Sequence, residues 1–251
     1  MPEPLVSIGL RQAYGSREIL KGLDFALSAG EWAGLVGANG AGKTTLFKTL
    51  AGLLKPDAGD VLYSGIPLLQ RPVEAKRLFG MAMSPDELPL VLTGQQYFEL
   101  IASARGVDRL GGAAEMLLAQ FALDAERDKP MAICSFGTMK KIGIVGALIG
   151  TPSVLLLDEP FNGLDPTSGF ALKRMLRDLV DAQACSVLMA THTVEMVATW
   201  CNLAILLIDG QLQPMISMQE WRESGRTSHE FEMWIMNQLL GTVSTAEISA
   251  G

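Results

Sequence analysis

Gly37-Ala38-Asn39-Gly40-Ala41-Gly42-Lys43-Thr44 decides how this chain is read. The stretch fits G-x-x-x-x-G-K-[ST]. Just before it, Trp32-Ala33-Gly34-Leu35-Val36 predicts a short buried strand, and Thr45 to Leu54 predicts a helix. A strand, this loop and a helix together form the setting in which the pattern wraps a phosphate. Glycines let the backbone close around an anion, and amides at a helix N-terminus point towards it. Gly37, Ala38, Asn39, Gly40, Ala41, Gly42 and Thr45 supply the cradle. Lys43 is placed to reach the β- and γ-phosphates, and the Thr44 hydroxyl to ligate Mg²⁺.

Working outward, Leu5–Leu10 and Ile19–Leu27 predict strands of an N-terminal antiparallel layer with a turn near Gly15-Ser16. Pro56 to Asp60 is a turn, Val61-Leu62-Tyr63 a strand, and Arg77 to Met83 approaches another strand. From about Pro85 to Cys134 the pattern turns helical, notably over Tyr97–Arg105 and Ala113–Phe121. The α/β alternation then resumes: strand Val154–Asp158, helix Gly169–Gln183, strand Ser186–Ala190, helix Val194–Cys201 and strand Leu203–Ile208. Strands alternating with helices imply a mostly parallel sheet. Residues 1–215 are therefore expected to form an α/β body with a helical lobe (about 85–134) inserted in it. Residues 216–251 are expected to be a short extension, with a helix over Glu230–Leu240 and a loose tail.

With 251 residues, 49% of them hydrophobic, the chain can bury a large core. The net charge of −7 argues against a nucleic-acid partner, which calls for a basic stripe. The most apolar run, Ile142–Leu157, is broken by Thr151-Pro152-Ser153 and is too short to span a bilayer. No secretory signal is visible at the N-terminus, so a soluble, cytoplasmic chain is expected. Cys134, Cys185 and Cys201 share no metal-ligand spacing and read as reduced thiols.

A second site matches the first. Val154-Leu155-Leu156-Leu157 ends in Asp158-Glu159. In phosphate-loop proteins the acid at such a strand end holds Mg²⁺, directly or through water, and Asp158 fits that role. Glu159, one residue on, is placed to orient or deprotonate a water aimed at the γ-phosphate. His192 follows the strand Ser186–Ala190, and parallel strands bring their C-terminal ends to one ligand-binding edge. It is read as a γ-phosphate sensor. His229, in a polar setting, is assigned to solvent.

Over about residues 5–215 the chain resembles the ATP-binding subunit of an ABC transporter. Cys134-Ser135-Phe136-Gly137-Thr138-Met139-Lys140-Lys141 stands where that family carries its L-S-G-G-Q signature. Asn162-Gly163-Leu164-Asp165-Pro166 matches its D-loop and His192 its H-loop. The resemblance implies a phosphate-loop NTPase cassette: a RecA-like core, an N-terminal antiparallel layer and an inserted helical lobe. It implies ATP and Mg²⁺ as cofactors and ATP hydrolysis as the reaction. Two cassettes, a homodimer or a pair of paralogues, would close head to tail on two ATP molecules. Ser135 and the Gly137 amide, near the start of a helix from about Thr138, would grip the partner's γ-phosphate. Asp165 would cross the interface, and Tyr14 would stack on adenine, the alternative being a strand-edge aromatic. The membrane-spanning subunit would be a separate chain, with this one peripheral on the inner membrane face.

Three positions depart from the family pattern. Phe136 and Thr138 replace Gly and Gln in the signature. Asp86 stands where the family usually has Gln. There it can reach the Mg²⁺ through water, or it belongs to a plain turn. These looser motifs resemble exporter-type subunits. A soluble ABC ATPase and a cassette that binds ATP only to regulate a complex are the competing readings. The retention of both Glu159 and His192 speaks against the second. Leu88, Leu90, Val91, Leu92, Tyr97, Phe98 and Leu100 crowd the lobe, so some are expected to form an exposed patch that docks the membrane chain. Packing within the lobe is the alternative.

Overall fold

The structure, a computed structural model, describes residues 2–240. Its first half runs β1 (Leu5–Tyr14), β2 (Arg17–Leu27), β3 (Trp32–Val36), α1 (Lys43–Leu50), β4 (Ala58–Tyr63), β5 (Ile66–Pro67), α2 (Pro72–Leu78) and β6 (Phe79–Met81). Helices α3 (Gly94–Arg105), α4 (Gly112–Gln120) and α5 (Phe136–Leu148) follow. The chain then alternates β7 (Val154–Asp158), α6 (Pro166–Asp181), β8 (Ser186–Ala190), α7 (Val194–Trp200) and β9 (Leu203–Ile208). It closes with β10 (Gln211–Leu212), β11 (Ile216–Ser217), α8 (Met218–Glu223) and α9 (Ser228–Leu239).

Two sheets result. One is antiparallel, in the order β2-β1-β4-β5; the other runs β10-β9-β3-β8-β7-β6, with β11 also on β9. Strands β9, β3, β8, β7 and β6 are mutually parallel. Both faces of this sheet are covered, which is why β7 and β8 read as unbroken apolar runs. Side chains alternate between two cores. Val154 and Leu156 pack with α1 and the antiparallel layer, and Leu155 and Leu157 pack with the helices on the other face. All chain between β6 and β7 is helix or loop, yet β6 and β7 are sheet neighbours.

Local sequence sets the helix limits. Thr93 and Gln96 cap α3 reciprocally and Gly106 ends it in a left-handed turn. Asp165 caps α6 from its side chain, with Pro166 at the first helical position. Thr227 and Glu230 cap α9. Helix α9 packs against α7, beside an aromatic cluster in which Trp221 meets Phe231 edge-on at 5.1 Å. Arg226 lies 4.8 Å over the Trp221 ring.

The strands predicted at residues 32–36, 154–158, 186–190 and 203–208 appear with those limits. Four readings are corrected. The helix after the phosphate loop spans Lys43–Leu50, since Ala51 and Gly52 close it. Arg77 and Leu78 belong to α2, and the strand starts only at Phe79. The helix after Ser135 starts at Phe136, because Ser135 itself is the cap. Residues 211–223, where the pattern fades, hold β10, β11 and α8. The predicted tail, from Thr242, lies outside the described residues.

Candidate nucleotide site

The site sits where β3, β7 and β8 end. Their parallel register sets Asp158 beside Ala190, so the residues just beyond β7 meet those just beyond β8. Gly42 caps α1 with φ at +109°, and a Cβ there would come within 3.0 Å of Ile19. A side chain there would be strained by the backbone and would press on Ile19. Lys43 Nζ donates to the carbonyls of Gly37 at 2.6 Å and Ala38 at 3.1 Å, folded back over its own loop. The Thr44 hydroxyl donates to Asp158 Oδ2 at 3.2 Å. A cavity of about 320 Å³ is walled by Asn39, Gly40, Gly42, Lys43, Thr44 and Thr45, by Asp158 and Glu159, and by Arg17 and Ile19. Gly37, Ala38 and Ala41 complete the loop, and Ala38 and Ala41 face an adjoining cavity.

The two acids are held differently. Burial pushes the Asp158 carboxyl above its ordinary range, and the Thr44 hydrogen bond opposes that shift. Lys140, almost fully buried, donates to the Asp158 carbonyl at 3.3 Å, and its own pKa is lowered by burial. Glu159 takes a left-handed backbone, φ +46°, uncommon for a residue with a side chain. Its amide donates to the Ala190 carbonyl at 2.9 Å. Its Oε1 lies 2.9 Å from His192 Nδ1. An ionised carboxylate only accepts, so a neutral imidazole carries its proton on Nδ1 and leaves Nε2 as acceptor. Asn162 donates to the other Glu159 oxygen at 3.4 Å.

The predicted residues do not all meet in one place. Thr44, Asp158, Glu159 and His192 do. Ser135 and Gly137 lie outside the cavity walls. The Ser135 hydroxyl accepts from the Thr138 amide at 3.1 Å and lies 2.9 Å from the Thr138 hydroxyl. Lys141 pairs with Asp165 at 2.8 Å, and this hydrogen bond, with those from Ser168, holds the Asp165 carboxyl far below the usual range. Asp165 is thus engaged within its own chain. Phe136 is exposed, its ring against Gly163. Tyr14 is exposed at the end of β1 and lines neither cavity. Asp86 is exposed in a 3-10 turn, Pro85–Glu87, capped by Ser84; it is off the cavity wall, while its neighbour Glu87 pairs with Lys48 of α1 at 3.2 Å.

Sequence reasoning missed Arg17 and Ile19, which wall the cavity from β2. The register of a hairpin against a distant loop left no mark in the pattern. It also missed α2, whose signal, Pro72 with Glu74 in the first turn, was present.

Of the crowded lobe residues, Leu88, Tyr97 and Phe98 are buried, whereas Leu90, Val91 and Leu100 are exposed. An apolar groove of about 370 Å³ lies between α2, α3 and β6, with Leu53, Val73, Met83, Tyr97 and Ile101 along it. Arg105 fastens its end, donating to the Phe79 carbonyl at 2.8 Å and to that of Ile149.

Comparison with known proteins converges on one family. The sequence pattern of the family described as ABC transporter matches residues 20–162. The aliphatic sulfonates import ATP-binding protein SsuB of Pseudomonas putida is 32% identical over 97% of this chain and 88% of its own. The lipopolysaccharide export system ATP-binding protein LptB of Acidithiobacillus ferridurans is 32% identical over 88% of this chain and 92% of its own. A solved ATP-binding subunit of an ABC transporter superposes with a TM-score of 0.82, at 27% identity, over 92% of this chain and 99% of its own. No helix among the described residues is long and apolar enough to cross a membrane. With a phosphate loop, paired acids and a histidine gathered at one sheet edge, the chain belongs to the ABC transporter family, as an ATP-binding subunit with the ATPase activity that powers transport.

Proposed function

We propose that this chain hydrolyses Mg²⁺·ATP to drive an exporter whose membrane-spanning part is a separate chain, and that it works as a head-to-tail pair. The observation that carries the reading is the contact series Thr44–Asp158, Glu159–His192, built on the ends of two neighbouring strands. Residues 1–215 form the cassette, with the lobe at about 85–134, and 216–251 an extension.

Each residue has a task. The phosphate loop, Gly37 to Thr45, wraps the phosphates, and Lys43 swings from its carbonyls to the β- and γ-phosphates. Thr44 and Asp158 suit Mg²⁺: two hard oxygen donors lie together. Among the described residues no group of three or more His, Cys, Asp or Glu could hold a metal ion. The half-buried Asp158 carboxylate also gains from a cation beside it. Bound there, Mg²⁺ neutralises charge on the transferred phosphoryl group. Glu159 takes the proton of the attacking water, oriented by His192 Nδ1–H. With Nδ1–H held by Glu159, His192 can donate to a γ-phosphate oxygen only when Nε2 also carries a proton.

The distance of Ser135 and Gly137 from their own cavity supports their action on a second cassette's nucleotide, with Asp165 at the same interface. Tyr14 stacks on adenine from the hairpin. Asp86 acts only through water. The groove of Leu53, Val73 and Met83 takes the membrane chain on the inner face of the membrane. Import and export relatives are equally similar, so the departures at Phe136, Thr138 and Asp86 are what support export.

The test is Glu159→Gln, which keeps shape and loses the base. Steady-state hydrolysis by the assembled complex should fall about 10²–10⁴-fold, the usual worth of a positioned base, with ATP affinity retained. Near-normal hydrolysis removes Glu159 from this role.

A further inference from the structure

Arg17 is the cation that the motifs did not announce. It opens β2 directly across the Gly15-Ser16 turn from Tyr14, its pairing partner on β1. It walls both the phosphate cavity and the adjoining cavity on the outer side of the loop, where Asn39 and Gly40 also serve both. Its side chain is exposed and makes no hydrogen bond or ion pair among the described residues. The nearest acid in sequence, Glu18, is taken by Arg11 at 2.7 Å.

Charge around the cavity makes this position matter. Its wall holds two cations, Lys43 and Arg17, and two acids, Asp158 and Glu159. The wall by itself is thus electrically balanced, while a nucleoside triphosphate brings several negative charges. Lys43 is bonded to loop carbonyls. Arg17 keeps its whole guanidinium fork free, and that planar fork matches two phosphate oxygens at once.

We propose that Arg17 is a phosphate-binding residue of the same chain's nucleotide site, closing the β1–β2 hairpin over the polyphosphate. The proposal rests on the reading of this cavity as the ATP site. It divides the hairpin's work: Tyr14 meets the base, and Arg17 meets the phosphates. Removing Arg17 should therefore weaken ligands in proportion to their phosphate charge, which loss of a merely structural residue would not do.

The experiment measures binding by the full chain. Adenosine, AMP, ADP and ATP each compete with a fluorescent ATP analogue, with and without Mg²⁺, on wild type, Arg17→Ala, Arg17→Lys and Lys43→Ala. Arg17→Ala should weaken ATP by about 10–100-fold, the loss of one charge-assisted phosphate contact, and leave adenosine unchanged. Arg17→Lys, a point charge without the fork, should recover part of the loss. An Arg17→Ala protein that binds ATP normally, or loses adenosine and ATP equally, overturns the proposal. If Lys43→Ala weakens ATP and Arg17→Ala does not, only the role of Arg17 fails. If neither changes ATP affinity, the reading of the cavity fails with it.

Discussion

The groove between α2, α3 and β6 contains two kinds of apolar residue, and substitution should separate them. Tyr97 is 3% exposed, and its ring rests so close to Gly146 that a Cβ there would come within 2.6 Å of it. Burial pushes its hydroxyl up to about 12, so the ring stays neutral. Val73 is 66% exposed on the same groove. Tyr97→Ala leaves a cavity that neighbours cannot fill, at a cost of about 3–5 kcal/mol as for other buried aromatics. For a chain of this size each kcal/mol lowers the melting temperature by about 2–4 °C, so the expected drop is roughly 6–20 °C. Val73→Glu places its carboxylate in water, and its effect should stay within about 0.5 kcal/mol, roughly 2 °C. Differential scanning calorimetry reads both numbers. Co-purification with the membrane chain reads docking. Val73→Glu should melt like wild type and lose the partner; Leu90→Glu, at an exposed position of the lobe, tests how far the surface extends. Full recovery of the complex with well-folded Val73→Glu would refute docking in this groove. A Tyr97→Ala protein that melts like wild type would refute the packing argument.

Ser135→Arg should leave ATP affinity of the isolated subunit within about twofold of wild type yet abolish ATP-dependent dimerisation seen by light scattering, because the Ser135 hydroxyl faces no wall of its own cavity. Loss of ATP affinity in the monomer would defeat the two-chain arrangement. Asp165→Asn keeps the helix cap and removes the charge paired with Lys141. The Asp165 carboxyl is depressed in the fold, so its contribution is present above the unfolded value of 3.8 and is lost as pH falls through the lower folded value. Asp165 is half-exposed and its pair is screened, so the variant should melt a few °C lower at pH 7, and the gap should narrow steadily as pH falls below 3.8. A gap that stays constant down to pH 2 would contradict this.

Much of the fold could be read from the sequence for one physical reason. Strands buried on both faces must be apolar throughout, so β3, β7, β8 and β9 announced their own limits. The acids at the end of β7 and His192 after β8 were legible because parallel strands share an edge. The partner of each was not. That His192 bonds Glu159 depends on the register of β7 against β8, and that Arg17 walls the loop depends on where a hairpin folds back. Both are contacts between distant segments with no periodic trace. The departures at Phe136 and Thr138 were visible as letters only. Their sense appears in the contacts of Phe136 with Gly163 and of Thr138 with Ser135. Element ends misread by a few residues, such as Thr45–Leu54 for Lys43–Leu50, fell where a left-handed glycine or a side-chain cap overrides the pattern.

The backbone of Glu159 sets stability against activity. A left-handed residue with a Cβ costs on the order of 1 kcal/mol that glycine would not, and the hydrogen bond from the residue 159 amide to the Ala190 carbonyl survives either residue. Relief of backbone strain would thus favour Gly at 159, while the hydrogen bonds from His192 and Asn162 and the turnover they serve resist it. A descendant freed from hydrolysis has a short route to relieving that strain, one base change from a Glu codon to a Gly codon. Persistence of glutamate in a lineage would then record continued use of the reaction, independently of any assay.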